Sequence, residues 1–191
     1  MDDTARRVAR LLQEEIALVA YDSGWPEMFQ RERDHLLSCL PSEIVKRIEH
    51  FGSTAIPGIV SKPIIDILVE VASLDETRTM IVPILESQGY EYFWRPTWGD
   101  DIPPFYAWFI KRDSAGKRTH HIHMVEADFE HWDRLLFRDF LREHTDIAGE
   151  YGELKARLAK LHLHDRVKYT KEKSDFIQAV TEKAKRYYNN R

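Results

Sequence analysis

A chain of 191 residues with 43% hydrophobic and 12% aromatic residues suits one substantial core rather than two and is far from the composition of a disordered chain. Its 28 Lys and Arg against 32 Asp and Glu leave a net charge of −4, which disfavours bulk binding to a nucleic acid backbone. No apolar run approaches bilayer length, the N-terminus is not built like a signal peptide, and a single cysteine, Cys39, excludes an intramolecular disulfide, so the expectation is one cytoplasmic domain with no membrane partner.

From the N-terminus, Thr4 can cap a helix whose apolar stripe is Val8, Leu11, Leu12, Ile16 and Val19. Tyr21-Asp22-Ser23-Gly24-Trp25-Pro26 breaks it, and a second helix is expected from Pro26 to about Leu40, with Cys39 as a small core residue. Ile44 to Phe51 reads as the first core strand, Gly52 turns the chain, and Lys62 to Val71 carries a second strand rich in Ile and Val. Ser73 starts a crossover helix that Gly89 stops. Tyr90 to Trp94 and Pro104 to Lys111 follow as aromatic strands, joined by a loop holding Trp98, Gly99, Asp100 and Asp101, with Trp98 a candidate platform for stacking. Asp113 to Lys117 is a hairpin turn leading into a strand from Arg118 to Glu126.

The remainder is helical. Asp128 caps a helix with Trp132, Leu135, Leu136, Phe140 and Leu141. Asp146 starts another with Tyr151, Leu154, Leu158 and Leu161, and Thr170 starts a last one with Phe176, Ile177, Val180, Ala184 and Tyr187. Residues 155–191 hold eleven Lys or Arg against four Asp or Glu, a net +7, which suits either one wall of an anion site or a solvated face. The expected fold is α/β (α+β), a mixed sheet of four or five strands over residues 43–127, preceded by N-terminal helices (1–42) and followed by a C-terminal helical set (128–191).

Four groups of residues carry candidate chemistry. Gly52 and Ser53 form a turn where a missing Cβ, a hydroxyl and successive N–H groups can hold phosphate oxygens, and Thr54 adds a second hydroxyl. Asp66 is a carboxylate inside an apolar strand, which needs a cation or an accessible strand end. Alternation puts His121 and His123 on one strand face, where with Asp66 they form a plausible transition-metal set; they equally suit phosphate contact when protonated, or partly buried structural roles. His120 falls on the other face, and His131, His144, His162 and His164 show no spacing that suggests ligation. Lys62, Arg138, Lys155 and Lys173 are candidate anion contacts, or surface and structural cations.

The run His50-Phe51-Gly52-Ser53-Thr54-Ala55-Ile56-Pro57-Gly58, followed by Lys62-Pro63-Ile64-Ile65-Asp66-Ile67, resembles the recurring text of the GrpB family. Echoes at Tyr21-Asp22, Trp25-Pro26 and Phe137 to Arg142 extend the likeness over most of the chain. The turn and acid-bearing strand also resemble the nucleotidyltransferase superfamily, which implies a nucleotidyltransferase-like sheet and Mg²⁺ or Mn²⁺ held by paired carboxylates. The resemblance therefore implies metal-dependent nucleotidyl transfer, with Gly52, Ser53 and Thr54 holding phosphate, Asp66 holding metal and Lys62 stabilising charge; the ligand would be a nucleotide or another phosphorylated small molecule. The second acidic position is Leu68 or Ile64 here, and Glu70 lies about 13 Å along the strand, too far to chelate the same ion. A noncatalytic nucleotide-binding accessory module, linked to coenzyme A metabolism through the family's fusions to dephospho-coenzyme A kinase domains, is therefore an alternative, and a histidine-containing metal hydrolase is another.

Overall fold

A computed structural model describes residues 3–97 and 103–190. Trp98 and the Gly99, Asp100 and Asp101 that follow it lie outside the described residues. In chain order come α1 (Asp3–Gln13), α2 (Trp25–Cys39), β1 (Val45–Phe51), a 3₁₀ turn (Ser53–Ala55), β2 (Ile65–Val71), α3 (Leu74–Glu76), a π turn (Thr77–Ile81), α4 (Val82–Ser87), β3 (Glu91–Pro96), β4 (Phe105–Arg112) and β5 (Arg118–Val125). A 3₁₀ turn (Glu130–Trp132), α5 (Asp133–Glu143), α6 (Thr145–Leu161), α7 (Arg166–Glu172) and α8 (Ser174–Asn189) complete it. Two compact units result, one of Asp22–Ala55 and Ile64–Trp132, the other of Met1–Tyr21, Ile56–Pro63 and Asp133–Arg191.

The first unit holds a five-stranded mixed sheet in the order β1-β2-β5-β4-β3. β2 and β5 are parallel, with Asp66 opposite His121 and Leu68 opposite His123, and the remaining pairs are antiparallel. The α/β reading thus holds, and the strand count falls at the upper end of the expectation. The sheet interior is apolar because β2 faces cover on both sides: Ile65, Ile67, Leu68 and Val69 are all inaccessible to solvent. The helical segment after Ser73 crosses to the far edge of the sheet rather than to a neighbouring strand. Ser73 caps it by accepting from the Glu76 N–H (3.3 Å). The wide π turn immediately precedes Pro83 near the start of α4, where a proline ring would obstruct a regular turn.

In the second unit, α5 and α8 bury Phe137, Phe140, Leu141, Val180 and Ala184 together with Ile56 and Ile59. Here the helical periodicity misleads twice. Helix α1 ends at Gln13, because Ile16 enters a cluster with Leu158, Ala159 and Tyr169, and Val19 exchanges backbone hydrogen bonds with Ser61 (2.8 and 3.0 Å), which demands extended backbone. Thr170 lies inside α7, capped by the Asp165 side chain accepting from the Lys168 N–H (2.9 Å), and the last helix begins only at Ser174. Trp132 sits in a 3₁₀ turn ahead of α5, not within the helix. Cys39 is half-buried, not core, with its thiol facing the Leu36 carbonyl (3.8 Å) and the His35 imidazole (4.0 Å).

Candidate metal centre

The site is built on one face of the first unit's sheet. Strand partners share a face, so the register that sets Asp66 beside His121 also aligns His123, then Trp108 and Tyr106 on β4, then Phe93 and Arg95 on β3. One oxygen of Asp66 and one nitrogen from each of His121 and His123 lie within 4.8 Å of one another, the only such group of three or more among the described residues. His121 Nδ1 stands 3.1 Å from Asp66 Oδ1. The Asp66 side chain keeps 29% of its exposure and that of His121 keeps 12%, so solvent reaches a carboxylate in an otherwise apolar strand.

Gly52 makes the approach of turn to strand possible. Its φ is +71°, a left-handed conformation that side chains disfavour. A Cβ built there would lie 3.0 Å from the Asp66 Cβ, 3.1 Å from its Cγ and closer still to Oδ2. The missing Cβ therefore accommodates the carboxylate. Ser53 is half-buried at the start of the 3₁₀ turn. Thr54 is inaccessible; its Oγ1 donates to the Ile64 carbonyl (3.3 Å) and lies 3.0 Å from His50 Nε2. His50 thus supports the turn, and the Thr54 hydroxyl is taken up within it.

Aromatic rings wall the histidines. Tyr106 stacks on His123 (centroids 5.5 Å, 18°), Phe51 meets it edge-on (5.2 Å), and Trp108 meets His121 edge-on (5.1 Å). His131, unremarkable in sequence, is 1% exposed, 4.6 Å from the Tyr106 ring and 6.0 Å from that of His123. Alternation along β4 could have signalled Tyr106 and Trp108. Nothing in the pattern signals His131, since it arrives in a 3₁₀ turn beyond the end of β5.

The opposite sheet face carries a separate network. Buried Glu32 of α2 accepts from the Tyr90 hydroxyl and from Lys111 Nζ. His120 lies on this side, 7% exposed, and burial pushes its imidazole below the ordinary value, with Lys111 acting in the same direction and Glu32 opposing.

The candidate cations belong to the second unit and divide in two. Lys62 and Lys173 converge on one ring, their Nζ atoms 5.5 and 4.5 Å from the centroid of Tyr169. Tyr169 is 1% exposed, and burial pushes its hydroxyl up to about 12. Lys155 and Arg138 are engaged structurally. Lys155 is 2% exposed, donates to the Val60 carbonyl and lies 4.7 Å from the Tyr151 ring centroid. Arg138 grips Asp139 through Nε (2.7 Å) and Nη2 (3.0 Å).

The donor set discriminates between metals. Magnesium chemistry of the nucleotidyltransferase kind draws on carboxylates, and Asp66 is the single carboxylate of this cluster. Two imidazoles with one carboxylate suit zinc, iron, nickel or manganese and leave coordination positions open. The residues present therefore fit a mononuclear transition-metal site better than a paired magnesium site.

Residues 15–183 match the family model described as GrpB protein. The chain is 37% identical over 177 residues to UPF0157 protein YqkA of Bacillus subtilis (strain 168), covering 92% of this chain but 49% of that protein, so it spans about half of that relative's length. It is 36% identical to glutamate-rich protein GrpB of Alkalihalophilus pseudofirmus, covering 87% of this chain and 94% of that one. The crystal structure of conserved protein GrpB from Enterococcus faecalis superposes with a TM-score of 0.76 at 34% identity, covering 90% of this chain and 99% of that chain.

Proposed function

This chain belongs to the GrpB family, and from that premise we propose that it is a metal-dependent hydrolase of a nucleotide or another phosphorylated small molecule, with Asp66, His121 and His123 holding one transition-metal ion. The observation that carries the reading is the grouping of those three side chains within 4.8 Å on two adjacent parallel strands. A divalent transition metal in such a set supplies Lewis acidity toward a phosphoryl oxygen and lowers the pKa of water. Asp66 orients the His121 imidazole through the Nδ1 contact, and Tyr106, Trp108 and Phe51 restrain the two rings against rotation. The Gly52-Ser53 backbone and the Ser53 hydroxyl offer donors to phosphate oxygens beside the carboxylate. In hydrolysis, water oxygen forms the new bond to phosphorus, the ester P–O bond breaks, and the departing oxygen takes the proton that the water loses.

Nucleotidyl transfer with Mg²⁺ is the finer reading that the superfamily resemblance implies, and the imidazole-rich donor set weighs against it. A noncatalytic binding module would keep the same ligand without consuming it. Elemental analysis of protein purified without chelator and then exposed to Zn²⁺, Mn²⁺, Ni²⁺ or Fe²⁺ tests the proposal. One equivalent of transition metal, lost in a His121→Ala, His123→Ala double variant that still folds, is the expected result. Equal metal content in wild type and double variant overturns it. Release of phosphate from nucleotides or aryl phosphates by the loaded protein separates a hydrolase from a binding module.

A further inference from the structure

We propose that Arg95 is the specificity-determining residue of this centre, gripping a phosphate oxygen of the ligand; this rests on the reading of Asp66, His121 and His123 as a metal site. Arg95 projects from β3, opposite Tyr106 of β4, on the face that carries the two histidines. Its guanidinium carbon lies 4.7 Å from the centroid of the Trp108 ring, and Trp108 is the residue whose ring meets His121 edge-on at 5.1 Å. The guanidinium is thus held one aromatic layer from a metal ligand.

Three physical features make that position suited to an anion. Arg95 is exposed, whereas Trp108 beneath it is 7% exposed, so the charge rests on a rigid support and needs little ordering when a ligand arrives. A guanidinium presents a planar fork matching phosphate oxygens, unlike a lysine's point charge. The Gly52-Ser53 turn lies beside Asp66, at the end of the metal cluster away from β3, because β1 and β3 are the opposite edges of the sheet. A phosphorylated ligand lying across the face would then meet neutral donors at the turn and a fixed positive charge at Arg95. The sequence gives no hint of this role, since Arg95 is one arginine in an aromatic strand.

The test uses the whole chain, inorganic phosphate as probe, and Arg95→Ala and Arg95→Lys beside wild type, with titrations in Mn²⁺ and again in chelator. Arg95→Ala is expected to bind Mn²⁺ and melt as wild type does, and to bind phosphate at least about tenfold more weakly, with Arg95→Lys between them. Paramagnetic broadening of the phosphate ³¹P resonance by Mn²⁺ should weaken in the same order. Unchanged phosphate affinity in Arg95→Ala overturns the proposal, as does a wild type that binds no phosphate with or without Mn²⁺. If wild type takes up no metal yet loses phosphate binding in chelator on Arg95→Ala substitution, the metal reading fails and the assignment of Arg95 stands.

Discussion

Gly52 and Asp66 occupy mutually dependent positions: the turn residue has no side chain, and the carboxylate of the facing strand fills the space that a Cβ would need. Gly52→Ala must therefore pay roughly 1–2 kcal/mol for its left-handed backbone and displace Asp66 as well. Urea unfolding should show a loss of at least that size, and metal affinity should fall with it because the carboxylate moves. A variant as stable as wild type with unchanged metal uptake would contradict this coupling.

Asp66→Asn keeps the size of the side chain and removes its charge. Metal affinity should drop by more than about tenfold, the lower end of the losses seen when even an outer-shell partner is removed. Competition titration with a chromophoric chelator reads the change directly. Wild-type affinity in a folded Asp66→Asn protein would remove Asp66 from the ligand set.

His120 makes stability depend on pH. Burial lowers its folded-state pKa below the unfolded value, so the unfolded chain takes up a proton first as pH falls. Stability is then intact above the unfolded value of about 6.5, declines as pH drops from there toward the depressed folded value, and levels off below it. Urea midpoints between pH 8 and pH 4 should fall less steeply for His120→Gln than for wild type over that window. Parallel curves would show that His120 does not contribute to the acid response.

Lys155 tests the structural reading of a cation that is 2% exposed and donates to a backbone carbonyl. Lys155→Met retains most of the stem but withdraws the charged donor from the Val60 carbonyl, at a cost of about 1.5–3 kcal/mol for a hydrogen bond made by a charged group. The substitution should lower the unfolding midpoint and leave phosphate affinity unchanged. An unchanged midpoint with weakened phosphate binding would make Lys155 an anion contact instead.

Much of the fold was legible because it depends on local pattern. The aliphatic run from Ile65 to Val71, the alternation through His121 and His123, and Gly89 as a helix stop with φ +86° all follow from residue chemistry over short spans. Pattern failed where a distant partner overrode it. Ile16 and Val19 fit a helical stripe, yet Leu158, Tyr169 and the Ser61 backbone hold them outside α1. The crossover after β2 was visible, but not its landing on the far edge of the sheet, since periodicity carries no strand order.

The sequence by itself determined the family, the mixed α/β class and the three residues Asp66, His121 and His123 as a possible donor set, because motif text and two-residue alternation are local properties. Tertiary structure alone decided that Asp66 and His121 are register partners, that Gly52 clears space for the carboxylate, that His131 adjoins His123, and that Arg95 lies over Trp108, whose ring meets His121. It also decided that buried Lys155 is engaged with the Val60 carbonyl and Arg138 with Asp139. The physical reason is that proximity between residues far apart in the chain depends on strand order and on which faces become buried, and neither is written in the spacing of any one segment.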